Sequence, residues 1–82
     1  MERVLPQYPA LARAARVEGV VILEAVIRSD GSVGAIQVLR PLRLGCTEAA
    51  IDALRQWRFR PGTLQGVAVD VYLTLTVNFA LR

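Results

Sequence analysis

Seven carboxylates, ten arginines and a single thiol are the groups of this 82-residue chain that could do side-chain chemistry. Acid–base catalysis needs two titratable groups held beside each other and beside a reacting atom. Glu18, Glu24, Asp30, Glu48, Asp52 and Asp70 are scattered, with no glycine-rich loop or nucleophile next to any of them, and read as solvated surface. Histidine is absent and Cys46 is the only cysteine, which removes a Cys–His nucleophile, a zinc ligand set and an internal disulfide together. Cys46 precedes an expected helix start, where the dipole favours a thiolate; lacking a partner, it reads as an inert thiol. The expectation is a non-enzyme without cofactor or metal.

The net charge of +3 comes from arginine alone. Nucleic-acid binding needs a clustered basic stripe and, on a sheet, stacking aromatic residues. Arg55, Arg58 and Arg60, with Arg40 and Arg43 earlier, read as a solvated rim, and Tyr72 is the only aromatic expected on an open sheet face, so no nucleic-acid partner is expected. No apolar run reaches the roughly 18 residues of a membrane span, and no charged, apolar leader precedes the domain.

What remains is the chemistry of the backbone. In Val67–Leu81, Val69, Val71, Leu73, Leu75, Val77 and Phe79 alternate with Asp70, Tyr72, Thr74, Thr76 and Asn78, the period of a half-buried strand. A strand placed last in a short chain is expected at a sheet edge, offering unpaired N–H and C=O groups to an added strand. Asp70 and Tyr72 lie near its start on the polar face. They suit either contact with a partner or a charge that discourages unwanted pairing.

The rest of the chain must position that edge. Met1–Gln7 reads as an extended lead-in and residues 8–82 as one domain, because the length leaves no room for a second. Pro9–Arg16 is rich in helix formers. Val20–Arg28 reads as a strand with Val21, Leu23, Ala25 and Ile27 on one face. Its other face, with Val20, Ile22 and Val26, is apolar enough to suggest a further interface. Ser29-Asp30-Gly31-Ser32 is a turn, and Ser32–Leu39 returns as a strand with an irregularity near Gly34, since Val33 and Ile36 share a face only across a bulge. Thr47 is expected to cap a helix over Thr47–Arg58 whose apolar stripe is Ala50, Ile51, Leu54 and Trp57. Trp57 and Phe59 read as core, and Thr63–Gly66 as a loop. The fold class is α+β: a two-layer sandwich of topology αββαβ, with two helices on one face of a three-stranded antiparallel sheet in the order 2-1-3.

Taken together, Tyr8-Pro9, Val17-Glu18-Gly19, Ser29-Asp30-Gly31 with Val33, Glu48-Ala49-Ala50, Trp57-Arg58-Phe59-Arg60-Pro61-Gly62, Gly66 and the strand to Phe79 make Tyr8–Leu81 resemble the C-terminal domain of the TonB energy transducers. Each piece alone is weak; all of them in order form the resemblance. It implies a periplasmic binding module that takes the TonB box of an outer-membrane receptor as an added strand along Val69–Phe79, with Arg13 and Arg16 of the first helix as side-chain contacts. It also implies an inner-membrane energising complex, reached only through a transmembrane helix and spacer outside this chain. In the family the first helix carries a glutamine near the box where this chain has Arg13, and an arginine suits the acidic residue common in such boxes. The alternative is a self-association module, a homodimer formed through the same edge.

Overall fold

The computed structural model describes residues 5–81; the first four residues of the expected lead-in, and Arg82, lie outside them. The central strand of the sheet is β1 (Gly19–Ile27). Its inward side chains Val21, Leu23, Ala25 and Ile27 are all buried, Leu23 and Val21 completely, which is what the period-two pattern dictates for a central strand.

β1 pairs antiparallel with β2 (Val33–Arg40) on one side and with β5 (Val71–Phe79) on the other, so the sheet order is β2-β1-β5. The turn between β1 and β2 is closed by the Arg28 and Gly31 amides, which donate to Ser32 and Arg28 carbonyls respectively at 2.8 Å. Gly31 takes φ +87, and a Cβ there would stand 2.2 Å from the Phe59 carbonyl oxygen. Only glycine fits this corner.

α1 (Ala10–Ala14) and α2 (Cys46–Arg55) pack on the inward face of β1. α1 is shorter than the expected Pro9–Arg16. Pro9 is its N-cap, and Arg16, at φ +55, ends it in a left-handed conformation, with the Arg16 amide bonded to Arg13 and the Val17 amide to Ala12. That is a Schellman closure made with arginine in place of the usual glycine.

α2 also ends earlier than expected, and its cap differs. Gly45, at φ +85, is the N-cap and makes no side-chain cap bond. The Thr47 hydroxyl instead accepts from the Leu42 amide at 2.8 Å and donates to the Leu42 carbonyl at 2.9 Å, tying the preceding loop to the helix. Cys46, Ala50, Ala53 and Leu54 form its buried stripe, while Ile51 and Trp57 are half-buried. Small residues at Ala50 and Ala53 keep that stripe shallow.

The expected continuous strand Val67–Leu81 is broken at Asp70. Val67–Val69 is a separate strand, β4, paired with β3 (Gly62–Leu64) in a two-stranded ribbon. The expected loop Thr63–Gly66 is therefore mostly hairpin, turned by Gln65 and Gly66 at φ +51 and +80; two successive positive φ values mark the primed turns that suit strand twist. A Cβ on Gly62 would meet Val71 at 2.7 Å, so the ribbon base lies directly over the start of β5. The topology is αββα followed by three strands rather than one.

Candidate functional site

β5 has β1 on one side and, among the described residues, no strand on the other. All nine of its residues pair in unbroken register with the nine of β1, from Val71 opposite Ile27 to Phe79 opposite Gly19. An unbroken register leaves the strand free of bulges, so the N–H and C=O groups along its outer side keep the regular alternation an added strand needs. Leu73, Leu75 and Val77 turn half-buried toward the helices and Phe79 is buried, whereas Tyr72, Thr74, Thr76 and Asn78 are exposed, Tyr72 by 77%. This alternation is the one the sequence displays.

Of the stretch Val69–Phe79 expected to meet a partner, Val71–Phe79 share this edge and two residues do not. Val69 is paired with Gly62 in the ribbon, and Asp70 lies between strands. One Asp70 carboxylate oxygen accepts from the Ser29 amide at 2.7 Å, pinning the start of β5 to the β1–β2 turn. Its role in the fold is thus that of a clasp.

Arg13 and Arg16 are both exposed. The Arg13 guanidinium carbon lies 5.6 Å from the Tyr8 ring centroid, within range of a cation–π contact. Tyr8 packs edge-on against Phe79 with centroids 5.4 Å apart, and its hydroxyl donates to the Val17 carbonyl. Burial first, then the nearby charge of Glu18, raises the Tyr8 phenol above its ordinary pKa of 10.0 and keeps it a donor. Arg13 is thereby tied through Tyr8 to the last residue of β5. Arg16 lies beyond the helix.

Beneath the edge runs a groove of about 230 Å³, lined by Leu75–Asn78 of β5, by Ala50, Ala53, Leu54 and Trp57 on the α2 side, and by Leu5 and Pro6. The sequence reading places Trp57 in the core and Ala50 on the same apolar stripe, and leaves Ala53 out. The signal was present: small residues on the same stripe as a tryptophan leave a hollow beside it. Trp57 is half-buried, with its rings tilted 43° to Phe59 at 5.7 Å, and both pack against the core. Cys46 is completely buried, and burial followed by the charge of Glu48 pushes its thiol above the ordinary value, so the helix N-terminus does not yield a reactive thiolate. Among the described residues, no group of three or more metal-ligating side chains comes together.

Residues 4–81 match the family described as the Gram-negative bacterial TonB protein C-terminal. The chain belongs to the TonB C-terminal family. It is similar to the TonB protein of Escherichia coli, with 36% identity over 95% of this chain and 33% of that protein. Its identity to TonB of Xanthomonas campestris is also 36%, over 94% of this chain and 35% of the relative. The chain thus spans about a third of the length of these relatives. The solution NMR structure of the TonB C-terminal domain of Pseudomonas aeruginosa superposes with a TM-score of 0.83 at 30% identity, covering 100% of this chain and 84% of that one. The three-stranded antiparallel sheet and two helices expected from the sequence are the fold of the TonB C-terminal domain.

Proposed function

We propose that this TonB C-terminal domain is a periplasmic, non-catalytic module in energy-dependent transport across the outer membrane, which captures an extended TonB-box-like segment of a receptor by β-strand addition to β5. The observation that carries this reading is the outer side of β5, which no strand among the described residues pairs and which follows an unbroken register with β1. Main-chain hydrogen bonds along Val71–Phe79 supply affinity with little dependence on sequence, and alternate side chains supply choice. Val69 and Asp70 stand at the entrance to that stretch. Arg13, tied through Tyr8 to Phe79, faces an acidic residue near one end of the captured segment, with Arg16 as a further charge. Force reaches the domain through N-terminal segments and an inner-membrane complex.

The test is a titration of isotope-labelled protein with a blocked peptide of alternating valine and threonine that carries one acidic residue. Backbone amide shifts confined to Val71–Phe79 and α1, with the mass of one protein and one peptide, are expected. A silent β5 up to millimolar peptide overturns the reading, and a concentration-dependent protein dimer through β5 replaces it with self-association.

A further inference from the structure

We infer that the groove under the β5 edge is a side-chain slot that takes one aliphatic residue of the captured strand, the residue lying opposite Leu75 or Val77. This rests on the strand-addition reading and adds to it where side-chain selection occurs. Residues directly opposite each other in adjacent strands point to the same face. An added residue facing Thr74 or Thr76 therefore turns outward to solvent, and one facing Leu75 or Val77 turns toward α2.

At that point the chain offers a hollow. Its β5 wall is Leu75 and Val77, and the opposite wall is Ala50, Ala53, Leu54 and Trp57. Ala53 and Leu54 are almost fully buried and Trp57 half-buried. The volume of about 230 Å³ exceeds the roughly 150 Å³ of an apolar cavity that accepts a benzene-sized guest. Leu5 supplies a second sign. It lies at the rim of the groove and is 87% exposed, an isolated leucine beside an apolar hollow, placed so that an aliphatic guest would cover both. Among the described residues the lining carries no ionised side chain, and Thr76 and Asn78, both on the β5 side, are the polar ones. The guest is therefore uncharged and apolar, and the charged residue of the captured segment lies elsewhere along the edge.

The experiment uses the unmodified protein and the blocked valine–threonine peptide, with each valine replaced in turn by leucine, by alanine and by glutamate. One position is expected to respond strongly, its alanine and glutamate forms binding about ten-fold or more weakly than its leucine form, while the other positions change little. A protein variant checks the location without threatening the core: L5S, at an exposed site, should weaken the leucine peptide and leave the alanine peptide unchanged. Binding at β5 with a flat response at every position overturns the slot and leaves strand addition standing. Failure of every peptide to shift β5 overturns both.

Discussion

The sheet has two edges, and they are built differently. Along β2 the register slips twice. Val33 and Ile36 face Ile27 and Ala25, which leaves Gly34 and Ala35 against Val26 alone, and Leu39 is the extra residue between the pairs Leu23–Val38 and Ile22–Arg40. Along β5 there is no slip. Bulges bend a strand, raise its twist and interrupt the row of backbone groups another strand would need. β2 is thus an edge made unfit for extension, and β5 an edge left fit for it. Val38 and Leu39 remain 38% and 48% exposed on β2, so apolar character alone does not distinguish the two edges. The register does.

Both edges depend on β1, and the largest effect is expected where they share it. Leu23 is completely buried and faces Val38 on one side and Leu75 on the other. L23A should cost about 2–5 kcal/mol, and in urea denaturation followed by residue-resolved NMR both edges should melt together. Separate melting would mean that the edges are independent units and that the comparison concerns two modules rather than one sheet.

Next in size is G31A. The corner residue is at φ +87, its carbonyl accepts from the Phe59 amide at 2.9 Å, and an added Cβ would strike the Phe59 carbonyl oxygen. The strained backbone costs about 1–3 kcal/mol before the clash is counted. Thermal unfolding should show the loss, and hydrogen exchange should show protection falling first in the β1–β2 turn and around Phe59, with the middle of β5 spared.

How much of this was legible in the chain follows from which interactions are local. The alternation of Val21 to Ile27 and of Val71 to Phe79, the turn at Asp30-Gly31 and the bulge at Gly34 are written in neighbouring residues, and the strand order followed from hairpin logic. The break at Asp70 was not legible. The period-two pattern continues straight through it, and what Asp70 meets there is the amide of Ser29, 41 positions away in the chain. The Gln65-Gly66 hairpin turn was hidden for another reason: a glutamine at φ +51 is not a residue that advertises a primed turn. Thr47 looked like a cap because threonine commonly is one, yet Gly45 reaches the left-handed conformation at lower cost and frees the hydroxyl for Leu42. The groove needed α2 and β5 side by side, which no local pattern contains.

The two turn carboxylates give the finer contrasts. Asp70 anchors the start of β5 through the Ser29 amide. Removing it as D70A should cost about 0.5–1.5 kcal/mol and speed amide exchange at Val71–Leu73, while β2 stays protected. Equal fraying of both strands would show that the clasp supports the turn as a whole.

Asp30 works only on the β2 side and should have the smallest effect. One of its oxygens accepts from the Ser32 hydroxyl at 2.6 Å and from the Ser32 amide at 2.9 Å. These two bonds, the hydroxyl first, hold its carboxyl below the ordinary value of 3.8. A carboxylate whose pKa is lower folded than unfolded stabilises the fold above its unfolded value, and that contribution is lost as pH falls through the depressed folded value. Stability of the unmodified protein should therefore decline on acidification below about pH 4, with the Ser32 and Val33 amides exchanging faster first. D30N should flatten that part of the decline without altering exchange along β5. If β5 frays in step with Asp30 protonation, the two edges are coupled through the turn, and the unbroken edge owes part of its order to the bulged one.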